Sequence, residues 1–152
     1  MDDAPILFCY DDSEAAREAI RVAATLFPGR RGVVLDVAPL LTGAESVAEL
    51  SSVAPNFEEL NRQEALSSAR AGAALARSLG LEAEARADLA APTWDGIVAA
   101  ADEINAAVIV IGSRGLKGAR ELFEGSTSHE VAEHAGRPVL IVPPAHKGAA
   151  KT

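Results

Sequence analysis

Apolar positions along the chain come in two forms, short unbroken runs and stripes at helical spacing. Ile6-Leu7-Phe8-Cys9-Tyr10 is an unbroken run, the pattern of a strand covered on both faces, and it stops at Asp11-Asp12-Ser13, whose oxygens can cap a helix. Ala16, Ala19, Ile20, Ala23 and Phe27 then recur at helical spacing until Pro28-Gly29, and Gly32 to Val37 reads as a second buried strand, completing a βαβ unit. Residues 38–55, with Pro39, Gly43 and Pro55, read as a connecting loop with a short helical turn around Val47 to Leu50. A helix is predicted from Asn56 to Leu79, stopped by Gly80, with Leu66, Ala69, Ala73 and Ala76 as its buried stripe. Glu82 to Leu89 alternates polar and apolar residues, which predicts a half-exposed edge strand whose outward charges discourage pairing. Trp94, Ile97, Val98, Ala101 and Ile104 form a helical stripe after Pro92, with Trp94 expected in the core. Ala107 to Ile111 is the most hydrophobic strand, Ser126 to Ala135 reads as a helix, and Val139 to Val142 is a last strand before Pro143-Pro144.

Five strands alternating with helices predict an α/β fold, an open parallel sheet with helices on both faces, joined by right-handed crossovers. Ligands of such sheets sit beyond the carboxyl ends of the strands where strand order reverses, which brings Asp11 and the loop after Gly112 to one site. A length of 152 residues fits one domain, expected over 1–144, with 145–152 as a tail. Thirty-two alanines and only 4% aromatic residues predict closely spaced layers. The formal charge of −8 disfavours general nucleic-acid binding but not a local anion pocket. A lone cysteine, Cys9, cannot supply a disulfide framework, so a reducing, cytoplasmic setting is expected. No apolar stretch approaches the roughly 18 residues of a membrane span, so no membrane partner is expected.

The segment Gly112 to Thr127 suits an anion. Its glycines let backbone N–H groups approach a phosphate, Gly125-Ser126-Thr127 joins free N–H groups and hydroxyls to the positive end of a helix dipole, and Arg114, Lys117 and Arg120 add charge. The competing reading is turn punctuation followed by a capping box, Thr127-x-x-Glu130. His129 and His134, five apart, fall on different faces of one helix, which argues for surface histidines over a two-histidine metal site. Ser126 with His129 lacks a third orienting group, which argues against hydrolase chemistry. Neither a G-x-x-x-x-G-K-(S/T) loop nor a G-x-G-x-x-G turn after the first strand occurs.

The spacing Gly112, Gly115, nine residues, then Gly125-Ser126 resembles the G-x-x-G-x9-G-(S/T) signature of the universal stress protein family. Ile6 to Ser13 with its terminal Asp11, Gly112-Ser113-Arg114-Gly115-Leu116, and Arg137 to Val142 resemble the family's first strand, glycine loop and last strand. The resemblance implies strand order 3-2-1-4-5 and, for the subset with intact glycines, ATP binding. It places adenine and ribose near Asp11 and Val37, and the phosphates, with Mg²⁺ as a possible companion, on Gly112, Ser113, Arg114, Gly115, Gly125, Ser126 and Thr127. The expected function is a regulatory adenine-nucleotide module in stress response with little or no turnover, dimeric through Val139–Val142. Two departures add negative charge: Asp12 where relatives often have Gly, read as a helix cap, and Asp36 where many have His. The rival readings are a dimeric interaction module of the same fold without nucleotide, and a phosphoacceptor receiver domain with Asp36 as acceptor. The receiver lacks support because Asp36 ends the second strand and Val142 is followed by Pro143, not lysine.

Overall fold

The computed structural model describes residues 3–40, 56–113 and 126–145. Among these residues nine elements follow one another: β1 (Ile6–Cys9), α1 (Glu14–Leu26), β2 (Arg31–Pro39), α2 (Phe57–Ser78), β3 (Glu82–Ala90), α3 (Thr93–Ile104), β4 (Val108–Gly112), α4 (Thr127–His134) and β5 (Val139–Val142). The five strands form one parallel sheet in the order β3-β2-β1-β4-β5. β1 is central and buried along its whole length, as its unbroken apolar run requires. β3 lies at one edge, where its alternating pattern placed it.

Two apolar layers cover the sheet. Ile6, Phe8, Tyr10, Val34 and Val110 pack with Ala16, Ala19, Ile20 and Ala23 of α1 and Ala69, Ala73 and Ala76 of α2. Leu7, Cys9, Val33, Leu35, Ile109 and Ile111 pack on the other face with Ile97, Ala100 and Ala101 of α3 and Val131 of α4. Small residues set the layer spacing. A Cβ at Gly96 would lie 2.5 Å from the Ala90 Cβ, so α3 rests against the end of β3 with no room to spare.

Several sequence expectations need correction. β2 runs through Ala38 to Pro39, because pairing with β3 continues to Pro39↔Ala90, so these residues are strand and not loop. The helical turn around Val47 to Leu50 lies outside the described residues. On α2 the buried residues are Ala65, Ala69, Gly72, Ala73 and Ala76, while Leu66 is half-buried. The small residues face the sheet because only they allow the backbone so close: a Cβ at Gly72 would lie 2.8 Å from Val34 and 2.9 Å from Tyr10. Trp94 is half-buried and stacks on His134, with ring centroids 4.3 Å apart. Among the described residues no helix is long and apolar enough to cross a membrane.

Candidate functional site

β1 stops short of its neighbours, and this opens a crevice at the carboxyl edge of the sheet. The Tyr10 N–H donates to the Leu35 carbonyl at 2.8 Å, the last sheet-like contact of β1, and the chain then turns into α1. Ser13, not Asp12, caps that helix: its buried Oγ accepts from the Ala16 N–H at 3.1 Å. Asp11 Oδ1 accepts from the Ser13 N–H at 3.0 Å, which fixes an exposed carboxylate at the crevice mouth. Asp12 adopts φ 62°, a left-handed conformation that suits glycine. Its carboxylate is engaged by the Tyr10 hydroxyl (3.2 Å) and Arg17 Nη1 (3.1 Å), so its charge is already partnered.

Val37 contributes backbone. Its side chain packs on the α3 face of the sheet, against Gly96. Since the Leu35 carbonyl points toward β1, and polar groups two residues apart in a strand point the same way, the N–H and C=O of Val37 face the space beyond the end of β1. Asp36 faces the opposite way, toward α1 and α2. Burial first, then the charges of Asp11, Asp12 and Glu64, push its carboxyl up to about 6, against the opposing effect of the nearby Ser68 hydroxyl. Among the described residues Ser68 Oγ is buried without a partner in hydrogen-bonding geometry. Sequence reasoning missed Glu64 and Ser68; their i,i+4 spacing beside Ala65 and Ala69 was the available signal.

On the other flank, Gly112 ends β4 where a Cβ would lie 2.9 Å from the Ala15 carbonyl oxygen, so only glycine lets α1 start this close. The Ser113 N–H donates to the Val142 carbonyl at 2.9 Å, at the end of β4 beside Gly112. Ser126 is the N-cap of α4, its Oγ accepting from the His129 N–H at 3.2 Å; Thr127 is the first helical residue and not the cap that the predicted Thr127-x-x-Glu130 capping box required. The N–H groups of Thr127 and Ser128 lie in the first turn with no intrahelical acceptor, a ready anion contact. Arg114, Gly115 and Gly125 lie outside the described residues. The structure thus gathers Asp11, Val37, Gly112, Ser113, Ser126 and Thr127 along one edge of the sheet, three strands and one helix start wide. This edge offers a backbone donor and acceptor, a carboxylate, and a helix start with open N–H groups.

Other polar groups are taken up elsewhere. Glu130, Glu133 and His134 bring ligand-type atoms within 4.8 Å of one another, but His134 Nδ1 already meets the Glu130 carbonyl at 2.9 Å. Burial, with the charge of Asp11, pushes the Cys9 thiol up and keeps it inert. A separate groove of 570 Å³ along the outer edge of β3 holds Arg86, which is paired with Asp88 and Glu103.

The universal stress protein family profile matches residues 4–143. The chain belongs to this family. Universal stress protein YxiE of Bacillus subtilis is 48% identical over 42 residues, 28% of each chain. Among solved structures, hypothetical protein MJ0577 superposes with a TM-score of 0.77 at 19% identity, over 97% of this chain and 100% of its own. The universal stress protein of Archaeoglobus fulgidus gives 0.63 at 28% identity, over 91% and 98%. It has also been solved in complex with dAMP, in a form that gives 0.59 at 26% identity over 93% and 99%. The shared fold also removes the receiver reading, since phosphoacceptor domains have strand order 2-1-3-4-5 and Asp36 here lies inside β2, not at its end.

Proposed function

We propose that this universal stress protein binds ATP in the crevice above β1, as a regulatory module with little or no turnover. One observation carries the reading: β1 ends early, so the backbone N–H and C=O of Val37 are presented side by side to the crevice. That pair matches the acceptor N1 and donor N6 of adenine and mismatches guanine, whose corresponding groups are reversed. The second oxygen of Asp11 suits a ribose hydroxyl. Gly112, Ser113, Ser126 and Thr127, with Arg114, Gly115 and Gly125 of the signature, receive the phosphates, and Mg²⁺ accompanies them as counter-ion. The dAMP complex of the Archaeoglobus relative supports an adenine nucleotide. Low turnover follows from the side chains: Ser126 Oγ serves as a cap, His129 lies beside Glu133, and neither is arranged as a base beside a phosphate. Fast steady-state hydrolysis lost on Ser126→Ala would contradict this.

The same module dimerises through β5, an edge strand whose Ile141 is 39% exposed. The test of the ligand is a calorimetric competition between ATP, GTP and CTP, supported by mass spectrometry of nucleotide released on denaturation. ATP should bind at least tenfold more tightly than GTP, a difference of about 1.4 kcal/mol. Equal affinities would remove the role of Val37, and the absence of any binding would leave a dimeric interaction module.

A further inference from the structure

Among the described residues Asp36 sits near the like charges of Asp11, Asp12 and Glu64 and has no ion-pair partner. Tyr10 lies level with Asp36 across the sheet, since Cys9 pairs with Leu35, so the carboxyl is at the crevice edge beside the β1–α1 turn. It shares a face with Val34 and therefore points toward α2, which presents Glu64 and Ser68. The turn adds Asp11 and Asp12, while Arg17 of α1 is bonded to Asp12 and Glu14. From β3 the register partner is Ala87; Arg86 and Asp88 flank it on the opposite face, where Arg86 pairs with Asp88 and Glu103. The Ser68 hydroxyl beside Asp36 works the other way, favouring the charged carboxylate, and burial outweighs it.

We propose that Asp36 couples this site to pH: nucleotide binding takes up a proton on Asp36, and affinity rises as the solution becomes more acidic. The proposal rests on the nucleotide reading above. A base and ribose lying over the ends of β1 and β2 remove water from Asp36, and phosphate charge left uncompensated by Mg²⁺ and the signature loop adds to the repulsion; both favour its neutral form. The carboxyl is already pushed up to about 6 without ligand, so a further rise falls near neutral pH. By linkage, a further rise of one unit makes binding roughly fivefold tighter at pH 6 than at pH 8.

The experiment is a calorimetric titration with ATP and Mg²⁺ at pH 6, 7 and 8, in buffers of different ionisation enthalpy. Wild type is compared with Asp36→Asn, which cancels protonation of ATP itself. Relative to the variant, wild type should take up a fraction of a proton near neutral pH and gain the fivefold. Glu64→Gln, on the exposed face of α2, removes one repelling charge and should move the pH dependence to lower pH even if Asp36→Asn folds poorly. Identical proton uptake and pH profiles in wild type and both variants would overturn the coupling. If ATP fails to bind at any pH, the nucleotide reading falls and this proposal with it; ligand-free melting of the same samples across pH shows separately whether Asp36 titrates as described.

Discussion

At Asp12 a left-handed backbone and an aspartate coexist because Arg17 and Tyr10 hold the side chain. The residue's identity was legible in the sequence, but its φ was not, since the capping role could fall on any of Asp11, Asp12 and Ser13. Asp36 was legible only as a departure from a pattern; its crowding by Glu64 and Ser68 depends on how α2 crosses β2, which no local spacing reports. Its effect on stability has a definite sign. The folded carboxyl stands at about 6, above its ordinary value of 3.8, so between these values the native state holds a proton that the unfolded chain has released. This stabilisation is complete below the unfolded value and is lost as pH rises through 6. The shift corresponds to roughly 3 kcal/mol unscreened, and to about 1–2 kcal/mol after solvent screening of a half-exposed group. Thermal melts of Asp36→Asn should therefore lack the decline between pH 4 and 7 that wild type shows, and equal slopes would refute the assignment.

Element boundaries obey caps and close contacts more than periodicity. The strands and helices were readable because buried parallel strands make unbroken apolar runs and each helix repeats its small or aliphatic face. The end of β2 was misread because Pro39 looks like a loop residue, yet proline is tolerated at the end of a strand. Leu66 was misread because size was taken as the mark of burial, whereas Ala65 and Gly72 face the sheet across a gap too narrow for leucine. Two substitutions test these contacts. Gly112→Ala sets a methyl 2.9 Å from the Ala15 carbonyl oxygen, a backbone atom at the start of α1, and should cost about 1–3 kcal/mol in chemical denaturation. Ser126→Ala removes the cap of α4 and should cost about 1 kcal/mol while also weakening ATP binding, since it loosens the first turn that offers the Thr127 and Ser128 N–H groups. An unchanged denaturation midpoint for either would show that the contact is not strained, or the cap not required.

For the molecule as a whole, the alternation of elements implied the class, while the order 3-2-1-4-5 came from the glycine spacing and its family resemblance and is the order observed. The described part of the candidate site was legible in the same way: Asp11, Val37, Gly112, Ser113, Ser126 and Thr127 stand at or near strand and helix ends that such a sheet brings to one edge. The second edge, β5, carries the prediction for assembly. Ile141→Lys should convert a dimer to a folded monomer in sedimentation analysis, and a dimer unaffected by the change would place the interface elsewhere. The central claim is nucleotide binding by the glycine signature, and calorimetric titration of wild type beside Gly125→Val tests it most directly. If the signature glycine receives a phosphate as proposed, a branched side chain there should lower ATP affinity by about 100-fold or more, through loss of charge-assisted hydrogen bonds worth roughly 1.5–3 kcal/mol each. Saturable binding by wild type, lost in a variant with an unchanged melting temperature, is the expected result; equal ATP affinity in the two folded proteins, or none in either, would contradict it.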